Sequence, residues 1–148
     1  MIIDDLEITG ALQISLNNEI VHQCDNLVVT AGKNWVAGRF KNTLGGYTIP
    51  GEMTHMAIGS ADTAAAAGNT ALATELNRIA LTTAGGTVST NTVQYDASWT
   101  SSSPAYAIKE AGIFNAASGG TMLARTVFAV INKGTDDTVS ISWTITVS

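Results

Sequence analysis

The side chains best suited to chemistry in this chain fall into a few small groups. His22, Cys24 and Asp25 stand within four residues of one another, and His55 is the other histidine of two. On a strand, His22 and Cys24 project from the same face, as two ligands of one zinc ion would. Structural zinc takes four ligands, however, usually as closely spaced pairs. One cysteine and two histidines in unrelated segments read better as ordinary core or interface residues. Carboxylates pair as Asp4 with Asp5 and Asp136 with Asp137. Glycoside hydrolysis needs two carboxylates on opposite sides of a sugar cleft, and no aromatic cluster outlines one here. The second pair reads as a solvated loop. Ser118, in "AASGG", lacks the glycine two residues upstream that a nucleophile elbow carries, so it reads as a turn residue beside Gly119 and Gly120. "GSADTAAAAGNT" lacks the Lys-Ser/Thr pair of a phosphate-binding loop, and no calcium loop is present. Arg125 interrupts the apolar run 122–130. Glu110 is its expected partner across a hairpin, of modest value if exposed. No catalytic, cofactor-binding or metal-ligating residue is assigned, no cofactor is expected, and an enzyme is the least favoured class.

The whole chain is expected to act as structure. Its 148 residues suit one domain, 1–148, large enough for a real core. Only 13% of residues are charged, and the formal net charge is −5. A weakly charged, Ser/Thr-rich surface costs less to bury against a partner, which points to an assembled protein. Nucleic acid is not expected as a partner, because binding it needs a positive patch and only 33–41 is even locally basic. No apolar run reaches the roughly 20 residues that span a bilayer. The start, "MIIDDLEITG", is acidic where a secretory signal is basic. With Cys24 alone there is no intrachain disulfide. Synthesis in a cytosol follows as the expectation.

The elements read as strands. In "TVSISWTITVS", Val139, Ile141, Trp143, Ile145 and Val147 alternate with hydroxyl residues, which predicts a long strand with one apolar face. Val93, Tyr95, Ala97 and Trp99 repeat the pattern over 92–99. Leu12, Ile14 and Leu16 share a face, and the Asn17-Asn18 turn leads into 20–24. Further strands are expected at 27–30, 54–59, 78–82, 105–114 and 122–131. Gly119 and Gly120 turn the last two into a hairpin, with Gly112 and Gly134 at close-approach or turn positions. One helix is expected around Trp35, Val36, Arg39, Phe40 and Leu44, stopping at Gly45-Gly46. Residues 62–76 read as a loop wrapping the domain, with at most a helical turn at 71–76. Trp35, Trp99 and Trp143 are expected as core anchors. The fold class is all-β: an antiparallel β-sandwich or jelly roll with one short helix.

Three blocks carry a family likeness. Residues 57–78, "AIGSADTAAAAGNTALATELNR", are followed by "EAGIFN" at 110–115 and by the Thr-rich strand 138–148. Together they resemble a group of small structural proteins of tailed bacteriophages, labelled variously as head decoration, tail fibre or baseplate parts. Ala61 and Asn69 stand where glycine and aspartate are commoner in that pattern. The N-terminal fifty residues match least well. The resemblance implies a virion component and no catalytic residues.

Within that class a capsid role is favoured, since the chain has neither the heptads nor the repeats of a fibre shaft. The expectation is a decoration, or cement, protein on the outer head surface. Its partners would be the major capsid protein and copies of itself as a dimer or trimer. A tail-fibre or baseplate protein, with tail proteins as partners, is the alternative. A glycan-binding adsorption module is another, and it would need Tyr47, Tyr95, Tyr106 or Trp99 to face solvent.

Overall fold

The computed structural model describes residues 5–41 and 45–148. Among them ten strands and one helix form two five-stranded sheets that are antiparallel throughout. The strands are β1 (Ile8–Leu16), β2 (Glu19–Asp25), β3 (Leu27–Val28), β4 (His55–Gly59) and β5 (Glu75–Ala80). They continue with β6 (Thr87–Ser89), β7 (Thr92–Trp99), β8 (Tyr106–Phe114), β9 (Met122–Lys133) and β10 (Val139–Val147). The helix α1 (Thr30–Phe40) lies between β3 and β4. One sheet has the order β2-β1-β10-β7-β6 and the other β3-β9-β8-β4-β5.

The alternating sequence of β10 decides its place. Val139, Ile141, Trp143 and Ile145 turn inward, while the hydroxyl residues between them stay half-exposed. Neighbouring β1 and β7 contribute Leu12, Ile14, Tyr95, Ala97 and Trp99 to the same core. The facing sheet supplies Met56, Ile58, Ile108, Ile113, Leu123, Phe128 and Ile131. This is a sandwich: apolar side chains from two inner faces form one shared layer. The β1–β2 turn is tight because Asn17 and Asn18 accept positive φ, at 51° and 66°. Asn17 also ties this turn to the one before β10, donating to Asp137 at 2.8 Å and accepting from the Thr138 N–H at 2.9 Å.

The second sheet is covered on both faces at one end. From Glu110 to Phe114 every residue of β8 is buried, as are the first five of β9. A strand buried on both faces loses its alternation and reads as a continuous apolar run. The cover is α1 and the loop of residues 60–74, over a second apolar cluster of Val29, Ala57, Leu72, Phe114 and Met122. Gly32 lets the helix approach, since a methyl group there would overlap the Leu123 carbonyl.

Several elements differ from their sequence readings. The 27–30 strand is only β3, because Val29 is already the N-cap and Thr30 the first residue of the helix. The helix ends at Phe40, with the Lys41 N–H turned back to the Gly38 carbonyl, and so stops short of Gly45-Gly46. Its buried positions are Gly32 and Gly38 rather than an apolar stripe, and Phe40 faces solvent. Leu44 lies outside the described residues. β5 starts at Glu75 rather than 78, which leaves no helical turn at 71–76. β6 had no signal, since all three of its residues are exposed on a sheet edge.

Candidate functional site

The fullest convergence of polar side chains is at residues the sequence offered as a surface pair. Glu110 on β8 and Arg125 on β9 are 0% and 1% exposed. The Arg125 Nε and Nη2 donate to one Glu110 oxygen at 3.0 and 2.8 Å. The rest of the guanidinium reaches into the loop. Nη1 donates to the Ala64 carbonyl at 3.2 Å and to Asn69 Oδ1 at 3.0 Å, and Nη2 donates to the Thr63 carbonyl at 2.9 Å. Five N–H groups are all an arginine has, and all are used. The carboxylate accepts from the loop in turn, from the Ala73 N–H at 3.0 Å and the Thr74 N–H at 2.7 Å. Gly59 lies against it, where a methyl group would overlap both the Thr74 carbonyl and the Glu110 carboxylate. The pair is therefore a clasp that closes residues 60–74 onto the sheet.

A second arginine fastens the next turn. Arg78 on β5 pairs with Glu75 at 2.7 Å and donates to the carbonyls of Ala116 and Gly119 at 3.0 and 2.9 Å. Its guanidinium lies 3.6 Å from the centre of the Phe114 ring, a cation–π contact. Gly119 and Gly120 have φ of 59° and 73°, so the turn they make is one an L side chain rarely adopts.

The residues nominated for chemistry lie apart. His22 packs against Phe128 at 5.5 Å between ring centres, whereas His55, on the other sheet, bonds Thr54 at 2.8 Å. Among the described residues no three His, Cys, Asp or Glu side chains are grouped to hold a metal ion. Cys24 lies 3.5 Å from the Thr126 hydroxyl, which itself donates to the Asp25 carbonyl. Burial pushes the thiol pKa up, more than the Thr126 contact lowers it, and Asp25 adds to the rise. A thiolate, the reactive form, is thereby disfavoured. Asp137 is an acceptor for Asn17 and for the Gly134 N–H, and both bonds hold its carboxyl below the usual range. Asp4 lies outside the described residues.

Trp99 and Trp143 are core anchors at 0% exposure, each donating its indole N–H at 2.9 Å, to Asn77 and Asn26 respectively. Trp35 is half-buried and donates to the Gly51 carbonyl at 2.7 Å. Two aromatics nominated as sugar platforms are thus inside the sandwich, Trp99 and Tyr95. A surface hollow of about 700 Å³ lies on the outer face of β1, β2, β7 and β10. Gln13, Gln23, Asp25, Gln94, Ser142 and Thr144 line it without an aromatic ring. It offers hydrogen bonds to a polar partner and no stacking surface.

Burial pushes the Tyr95 phenol up to about 12, Arg39 opposing and Glu52 reinforcing the effect. An unfolded tyrosine ionises near ~10. The neutral phenol therefore favours the fold, fully so below pH ~10, and this contribution is lost as pH rises toward 12. In an alkaline titration followed by tyrosinate absorbance, a late step near pH 12 is expected from Tyr95. Tyr95→Phe is expected to remove that late step. A late step that survives Tyr95→Phe, or no late step at all, would contradict the burial of Tyr95.

No family model, curated protein or solved structure matches the chain. No helix among the described residues is long and apolar enough to cross a membrane.

Proposed function

We propose that the chain is a structural protein of a tailed-bacteriophage virion. In this reading it is a decoration protein that sits on the outer head surface and cements neighbouring major capsid subunits. The observation that carries the reading is where the residues of the resemblance lie. Gly59, Leu72, Glu75, Arg78, Glu110 and Phe114 come from two separate blocks and meet at one end of a sheet. There they fasten a loop and a turn to the strands. A pattern whose residues hold shape, rather than line a cleft, suits a part that works by presenting a fixed surface in many copies. Each copy would bridge subunits, so that opening the shell must break several contacts together. A sparsely charged surface supports this, because few ions have to be desolvated at each contact.

Quantitative mass spectrometry of purified virions tests the proposal. Hundreds of copies per particle are expected, with heads that lose their genome at lower temperature when the protein is missing. About three to eighteen copies, the multiplicities of a symmetric tail, would place it in the tail instead. Absence from virions would end the reading altogether.

A further inference from the structure

Residues 60–74 leave the second sheet and return to it at one point. The Ser60 N–H donates to the Thr74 carbonyl at 2.9 Å, so the segment is a loop with a closed neck. Just before the neck the register between β4 and β5 shifts, between Ile58 and Gly59. Of the loop's residues Leu72 alone is buried, at 7% exposure, and it packs with Val29, Ala57, Phe114 and Met122. The other attachments are polar. They run to the Glu110 carboxylate and the Arg125 guanidinium. In addition the Thr30 N–H, at the first residue of α1, donates to the Ala67 carbonyl at 2.8 Å. The pair of Asp62 with Lys109, 3.6 Å apart at the surface, adds little.

We infer that residues 60–74 are a latch that opens as one unit while both sheets stay folded. A segment with one apolar anchor loses far less burial on leaving than a strand of the core does. The ion pair beneath decides how it leaves. Glu110 and Arg125 are both buried, and the loop supplies hydrogen bonds to each. Full release admits water to both ions and restores the hydration that closure removes. Partial release breaks loop bonds to a charge that is still buried, and a dehydrated charge short of partners is costlier than a hydrated one. Intermediate positions are therefore disfavoured, and the latch has two states, closed and open. The neck is its hinge, where the shifted register already interrupts regular pairing. Opening uncovers the ion pair and the four apolar side chains around Leu72, a face hidden in the closed form. The inference goes beyond the virion reading and holds for the isolated chain.

Native-state hydrogen exchange on the purified full chain tests it, followed amide by amide in NMR spectra at rising, sub-denaturing urea. Four N–H groups report the latch, because each bonds across it: Ser60 to Thr74, Ala73 and Thr74 to Glu110, and Thr30 to Ala67. Thr30 is the sharpest reporter. At the start of a helix its N–H has no helical acceptor, so its protection comes from the loop. In the wild type the four are expected to share one protection factor within about threefold, at least about tenfold below that of the β10 amides. Their urea dependence should be weaker too, since opening exposes less surface than unfolding. Leu72→Ala removes the anchor and should speed all four by a common factor of at least about ten. Protection and urea slope equal to those of β10 would show that the loop leaves only when the sheets unfold. Four unrelated protection factors would show piecemeal fraying, as would a Leu72→Ala variant in which Ala73 and Thr74 alone exchange faster. Each of these results overturns the latch. None involves virions, so the virion location stands or falls separately.

Discussion

Replacing Arg125 with methionine is expected to lower the folding free energy by about 3–5 kcal/mol, measured as the shift in a denaturant unfolding curve. Methionine fills much of the space of the arginine stem. It leaves the Glu110 carboxylate at 0% exposure without its cation. The carbonyls of Thr63 and Ala64 lose the guanidinium donors as well, and Asn69 Oδ1 is left with the Ala66 N–H. The loss should therefore have a local signature: amides in residues 60–74 are expected to exchange faster than those of β10. Many buried ion pairs can be replaced by two apolar residues at little net cost. Here such a double replacement is expected to remain destabilising, because the N–H groups of Ala73 and Thr74 would lose their acceptor. A cost below about 1 kcal/mol for Arg125→Met, the range of an exposed pair, would show that the clasp does not hold the loop.

Why the sequence places this pair and yet misjudges it has a physical explanation. Glu110 and Arg125 were readable as partners because hairpin pairing brings β8 and β9 together. Their burial was not readable, because it comes from elements remote in sequence. The loop of residues 60–74 covers them, and its own sequence is mostly alanine and threonine with no periodicity to reveal a packed face. The alternating strands were legible for the opposite reason. In β7 and β10 one face meets the core and the other meets solvent, so composition records the environment directly. Lys133 shows the same limit as the clasp. It is 2% exposed and donates to the carbonyls of Ser103, Pro104 and Gly134, and a lysine at a strand end reads as a solvated charge.

The helix exposes a further gap between pattern and packing. Trp35, Val36, Arg39 and Phe40 were read near one face of the helix; Trp35 and Val36 do pack partly on the core, yet the fully buried positions are glycines. A glycine contact leaves no hydrophobic signal of its own: Gly32 lies against the Leu123 backbone and Gly38 against the side chains of Tyr47 and Pro50. Phe40, in the last turn, is left in solvent. The aromatic readings divide in the same way: Trp99 and Tyr95 were candidates for a sugar platform until strand register turned both inward.

Trp143→Ala is expected to cost about 3–5 kcal/mol, the range for emptying a buried aromatic site. The residue sits on the middle strand of its sheet, opposite Leu12 on one side and Tyr95 on the other. Its indole also reaches beyond the sheet. The N–H donates to Asn26 Oδ1 at the crossover from β2 to β3, and the Asn26 backbone N–H donates to the Gly10 carbonyl at 3.0 Å. The side-chain nitrogen of Asn26 has no partner among the described residues. Trp143→Phe would keep most of the ring and leave the Asn26 side chain unpaired altogether. It is expected to cost about 1–3 kcal/mol, the penalty of an unsatisfied buried polar group. Adding Asn26→Ala to Trp143→Phe should then cost less than the sum of the two changes, since both remove the same bond. Strict additivity would mean that the indole contributes only volume, and that the crossover is held by the pairing of Leu27 and Val28 with β9.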